Sequence, residues 1–153
     1  MKNTYTFMVL IVLMVFIAAC SPAVEEAEES FEGFIGVFDG GGFSEITKYI
    51  TDDFAQREFG VSLEQIEEDS EVIDEQMGEI IGTYDYTIVT FDVTEETEEQ
   101  IKAVYEIYIT ERNGDESQPA DEQEYSQEEL ETGIVTIVNE DGSWLVDDMD
   151  ENP

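Results

Sequence analysis

The chain has 153 residues, of which 40 are Asp or Glu, 5 are Lys or Arg and none is His, for a formal net charge of -35. Binding to a phosphate backbone requires clustered cations that displace counterions, so nucleic acid is excluded as an expected partner. With 41% hydrophobic and 11% aromatic residues the chain is too apolar to remain unfolded despite its charge, and its length suits one domain around one core.

The acidity runs along the whole chain after the first 20 residues rather than forming one tail. Carboxylates at that density repel one another in dilute buffer, and molar salt, with a Debye length of about 3 Å, screens them. A halophilic source is therefore expected.

The chain opens MKNTYTFMVLIVLMVFIAAC, with Lys2 ahead of a continuous apolar run from Phe7 to Ala19 and then Cys20, the only cysteine. That is the layout of a secretory signal peptide, and the run is shorter than the roughly 20 residues a spanning helix needs. Ile17-Ala18-Ala19-Cys20 resembles the lipobox of prokaryotic lipoproteins. The resemblance implies cleavage of residues 1–19, lipidation of Cys20, and one mature domain, 20–153, held on the extracytoplasmic face of the cell membrane. No twin-arginine pair is present, which implies the general secretory route. Cleavage would remove one base, Lys2, and no acid, leaving 40 acids against 4 bases, or -36 on side chains.

Ser21 and Pro22 form a helix start, the serine as cap and the proline where its missing amide hydrogen costs nothing. Val24, Ala27, Phe31, Phe34, Ile35 and Phe38 recur at steps of three and four and predict one buried stripe, with Glu25, Glu26, Glu28, Glu29 and Glu32 outside it. Gly33 and Gly36 inside this helix predict close approach of a sheet. Asp39-Gly40-Gly41-Gly42 ends it.

A second helix is predicted from about Ser44 into Thr51-Asp52-Asp53-Phe54, burying Ile46, Tyr49, Ile50 and Phe54. Ser62-Leu63-Glu64-Gln65 is a capping box flanked by Val61 and Ile66 at the staple positions, so a third helix begins at Ser62. The pattern over 69–78 is ambiguous.

From Glu79 the apolar period becomes two. Tyr84, Tyr86 and Ile88 alternate on one face and Val89, Phe91 and Val93 on the other, and this slip of phase predicts a bulge. Ile101, Ala103, Tyr105, Ile107 and Ile109 predict a second strand with Lys102, Glu106 and Thr110 facing away. Asn113-Gly114 begins a turn, residues 115–131 read as a long exposed acidic loop, and Ile134 to Val138 form a third strand. Asp141-Gly142 is a tight-turn signal into Trp144, Leu145 and Val146.

The predicted class is α+β, N-terminal helices packed on a curved antiparallel β-sheet. The order resembles the nuclear transport factor 2-like superfamily, a sheet wrapped around a long first helix to make a cone. The stretches that carry the likeness are Ser21 to Phe38, Gly40 to Phe54 and Gly142 to Asp148. Cystatin-like proteins share the architecture and are the neighbouring alternative. The resemblance implies a cone cavity, for which Tyr84, Tyr86, Tyr105 and Trp144 are the ligand-cavity candidates.

Fold resemblance alone assigns no chemistry. Lack of histidine excludes His-based catalysis and His-ligated metals, and no Ser, Cys or Lys nucleophile constellation or phosphate-cradling loop is present. Asp85 lies between Tyr84 and Tyr86, yet strand alternation points it to the opposite face. The clusters Asp147-Asp148-Met149-Asp150-Glu151 and Asp121, Glu122, Glu124 lack the spacing and central glycine of a calcium loop. The expectation is a non-catalytic domain without cofactor or metal, binding a partner protein or a small apolar ligand. The alternatives are an enzyme using carboxylate and tyrosine groups in the cavity, or a structural or stress-linked envelope protein.

Overall fold

The computed structural model describes residues 21–40, 42–78, 81–111 and 130–150. The leader, Cys20, and the Asn113-Gly114 turn with the segment to residue 129 lie outside these residues.

Helix α1, Pro22–Phe38, starts as its sequence dictates: the Ser21 side chain accepts from the Val24 amide at 3.2 Å and proline occupies the first turn. Its buried stripe, with Ala27 and Phe31 fully enclosed, lies on a four-stranded antiparallel sheet. Gly40, with φ 118°, takes the chain out of the helix, and the Asp39 carboxylate reaches on to accept the Tyr86 amide at 2.8 Å. The two glycines inside α1 do not meet a sheet as predicted. Gly33 lies beneath the Tyr49 ring, and the space beside Gly36 is open.

The single second helix predicted from Ser44 is two elements. A 3-10 turn, Phe43–Lys48, is followed by extended chain at Ile50 and then by α2, Asp52–Glu58. The break has a long-range cause. The Val146 amide donates to the Tyr49 carbonyl at 2.8 Å and the Thr51 amide to the Val146 carbonyl at 3.0 Å, so residues 49–51 cover the edge of the sheet. Thr51, almost fully buried, then caps α2 by accepting from the Phe54 amide at 3.0 Å and donates to Asp147 Oδ1 at 2.8 Å. Helix α3, Leu63–Glu68, carries the complete capping box of Ser62 and Gln65, and its Ile66 is fully buried. The ambiguous stretch is α4, Ser70–Met77, which buries no residue fully. It is tied to the 3-10 turn by Asp74, which accepts from the Ser44 amide at 2.7 Å and hydroxyl at 2.9 Å.

The sheet is a meander of β1 (Tyr84–Glu96), β2 (Gln100–Glu111), β3 (Leu130–Glu140) and β4 (Ser143–Asp150). The bulge falls between Ile88 and Thr90, and it corrects the two-face expectation. Across it Ile88 still opposes Ile107 and Phe91 opposes Tyr105, so Tyr86, Ile88 and Phe91 all stay on the inner face. One unpaired residue therefore converts a change of phase in sequence into one continuous apolar surface, and it bends the strand. A second irregularity at Val93/Glu95 and a third at Thr136/Ile137 add to the curvature. On β2, Ile101, Ala103, Tyr105 and Ile107 are buried.

β3 begins earlier than expected. Leu130 and Glu131, assigned above to the acidic loop, pair with Tyr108 and Ile107. The turn into β4 has Asp141 at φ 52° and Gly142 at φ 91°, both left-handed, as a two-residue hairpin of this twist requires. The molecule is thus α+β, helices followed by a curved antiparallel sheet. No helix among the described residues is long and apolar enough to cross a membrane.

Candidate functional site

Helix α1 runs against β1 in the opposite direction. Its first residues meet the end of β1, where Ser21 Oγ donates to Glu96, and its last meet the start, where the Phe38 and Tyr86 rings lie 6.0 Å apart. The two ends of the sheet therefore differ. At one, the hairpin turns and the helix start close the core. At the other, where β1 and β3 begin and β2 and β4 finish, the layers part around a cavity of about 740 Å³.

Six aromatic residues line it: Phe34 and Phe38 from α1, Phe54 and Phe59 from α2 and its C-cap, Tyr86 from β1 and Tyr105 from β2. Several meet edge to face, Phe34 with Phe38 at 5.5 Å and with Phe54 at 5.7 Å, and Phe54 with Phe59 at 6.0 Å, the arrangement the ring quadrupole favours. Ile35, Ile107, Ile109 and Met149 complete the apolar wall. Tyr105 is held by two neighbours: its ring packs on Phe31 at 5.2 Å and lies over Gly133, directly across the sheet, where a side chain would collide with it.

Glu58, Glu131, Asp148 and Asp150 also line the cavity, and among the described residues no lysine or arginine does. Glu131 opposes Ile107 across the sheet, so it occupies an inward register position at the mouth. The Tyr86 hydroxyl is pushed above its ordinary pKa of 10.0, first by burial and then by the charges of Glu131 and Asp39 and by Tyr84. It therefore stays a neutral donor through the physiological range. Arg57, on α2 beside the mouth, is engaged with the Asp147 carbonyl, with Asp148 Oδ1 at 3.1 Å and with Glu58 at 3.3 Å.

Of the sequence-derived candidates, Tyr86 and Tyr105 meet at this cavity. Tyr84 is exposed at the first position of β1 and is not part of the lining. Trp144 is buried at the opposite end, beside Ser21, Pro22 and Ala23. Asp85 pairs across the sheet with Thr110 on the outward face. Cys20 lies outside the described residues. Sequence reasoning missed Phe59 and Glu131 as lining residues. Glu131 was hidden because an acid and a glycine occupy the first two inward positions of β3, where alternation would have shown apolar residues. Among the described residues no group of three or more carboxylates is placed to hold a metal ion.

No family model matches the chain, and no curated protein does. Among solved structures, an NTF-2-like protein of unknown function from Shewanella oneidensis MR-1 is similar over 82% of this chain and 99% of that one, with 10% identity and a TM-score of 0.45.

Proposed function

We propose that this chain is a lipid-anchored extracytoplasmic domain from a salt-adapted prokaryote, with a nuclear transport factor 2-like cone whose cavity holds a small apolar ligand without transforming it. The observation that carries the binding reading is the cavity of about 740 Å³ walled by six aromatic residues. Its size falls in the usual small-molecule range of roughly 300–1,000 Å³, and an aromatic wall gains most of its energy from displacing water by apolar surface. The anchor reading rests on the leader and on Ile17-Ala18-Ala19-Cys20. Together they give an orientation. A 17-residue helix is about 25 Å long at 1.5 Å per residue, so a lipid on Cys20 holds the closed end near the membrane and turns the cavity mouth outward.

The test is native mass spectrometry of the full-length protein extracted from its own membranes at high salt. A chain that begins at Cys20, heavier by a lipid and carrying a further non-covalent adduct, supports both halves of the reading. An unmodified chain still carrying residues 1–19 overturns the anchor. One observation favours a second reading: Tyr86 and Glu131 both line the cavity and interact electrostatically, as a proton-transfer site would require. Consumption of the retained adduct by the purified protein would select that enzyme, whereas an adduct released unchanged selects the binder.

A further inference from the structure

Resting on that reading, we propose that the cavity selects an amphipathic organic cation, its apolar body against the phenylalanines and its cationic head between Glu131 and the Tyr86 ring. Four carboxylate residues line the space, and among the described residues no lysine or arginine does. The described bases are already committed: Lys48 to Glu45 at 3.1 Å, Lys102 to Glu95 at 3.8 Å, and Arg57 to Asp148 and Glu58. Arg57 therefore offsets part of the acid on the α2 and β4 side of the mouth. No base pairs with Glu131 among the described residues, and this exposed side chain stands on the inner face of the sheet and lines the cavity.

The rest of the mouth is of one kind. The Tyr86 ring, half-buried and packed on Phe38 at 6.0 Å, lines the same cavity as Glu131, and a cation over an aromatic ring is attracted by the ring quadrupole. A quaternary ammonium head needs no hydrogen-bond acceptor and gives up little hydration to enter. An anionic head would meet the Glu131 charge, which no described base offsets, and a neutral one would gain nothing from it.

The experiment is calorimetric titration of the 21–153 protein with three 4-phenylbutyl compounds that differ only at the head, trimethylammonium, hydroxyl and carboxylate. A background of about 1 M KCl is used, in which the Debye length of roughly 3 Å removes the long-range pull of the net charge and leaves local contacts. The expected order is trimethylammonium tightest by about tenfold over hydroxyl, with carboxylate weakest. Glu131→Gln should cut that preference to about threefold or less, and Glu98→Gln, the same loss of charge in the turn at the closed end, should leave it unchanged. Equal affinity for the ammonium and hydroxyl compounds, or an equal loss in both variants, overturns the cation inference while leaving the apolar-ligand reading in place. Failure of all three compounds to bind defeats the apolar-ligand reading itself.

Discussion

Gly133→Ala tests whether Tyr105 is held where the cavity needs it. In an ordinary strand, alanine in place of glycine stabilises by roughly 0.5–1 kcal/mol, because glycine loses more backbone freedom on folding. At position 133 a methyl would sit 2.4 Å from the Tyr105 hydroxyl oxygen, 2.6 Å from ring carbon Cζ and 2.9 Å from the Asp150 carbonyl oxygen. The last is backbone of the paired strand and cannot turn aside, and Tyr105 is only 2% exposed, with Phe31 beyond it. Overpacking of this kind costs about 1–3 kcal/mol, which exceeds the entropic gain, so the variant should be less stable by about 1–2 kcal/mol. With a urea dependence near 1.5 kcal/mol per molar, the unfolding midpoint falls by about 1 M. Tyr105→Leu removes both ring atoms in question, and the double variant should show a coupling energy of about 1 kcal/mol in a mutant cycle. Gly36→Ala is the contrast: that glycine is helical with nothing near its missing side chain, so alanine there should stabilise by about 0.5–1 kcal/mol. A Gly133→Ala protein as stable as the parent, or a coupling below about 0.3 kcal/mol, would refute the packing account.

The fold should depend on salt: the melting temperature of the 21–153 protein is expected to rise between roughly 0.1 and 3 M KCl, and a flat profile would remove the halophilic reading. Asp74→Ala strips the Ser44 amide and hydroxyl of their acceptor and should cost about 1–3 kcal/mol in urea unfolding, with hydrogen exchange accelerated at Ser44 and over α4. Thr51→Val loses both the cap on Phe54 and the bond to Asp147, for an expected loss of about 1–2 kcal/mol; a loss below about 0.5 kcal/mol would mean the Thr51 hydroxyl is dispensable. Tyr86 gives a pH prediction. Its folded pKa is raised above 10.0, so in the alkaline interval between the unfolded and folded values the unfolded chain has released a proton that the folded one keeps, and stability falls as pH rises. Tyr86→Phe should reduce that alkaline loss and remove one late-ionising tyrosine from an ultraviolet titration. An unchanged titration curve would assign the late step elsewhere.

The legible parts of this fold are those decided by neighbours in sequence. The stripe of α1, the Ser62 capping box and the Asp141-Gly142 hairpin each need only a few residues, and each is found where its residues stand. The bulge was legible for a related reason. An apolar pattern that changes phase has to be absorbed somewhere, although only the register shows that Phe91 returns to the face of Tyr86 instead of crossing to the other. The break between the 3-10 turn and α2 was not legible, because the groups that claim Tyr49 and Thr51 belong to Val146, almost a hundred residues on. The cavity was half legible. Phenylalanines of α1 and α2 announce burial, but burial in a core and burial against empty space have the same periodicity. Glu131 broke the alternation that would have revealed the start of β3, and it did so because its position faces the mouth instead of the packed core.

The site and the proposed anchor are related through α1. Cys20 directly precedes the helix cap, and Ser21 is bonded to Glu96 at the closed end of the sheet, so a lipid there would leave no spacer between membrane and domain. Around that end stand Glu26, Glu96 and Glu98 beside Trp144. In dilute buffer these acids would be repelled by an anionic leaflet and the domain would tilt away on its short tether. At molar salt, with a screening length of about 3 Å, the repulsion lapses and the domain can stand with its closed end on the surface. On the proposed reading, the salt expected to keep so acidic a chain folded would also be the condition that orients it. A ligand arriving from the medium would meet the cavity at the far end of the helix, where Glu131 and Tyr86 are among the groups that line it.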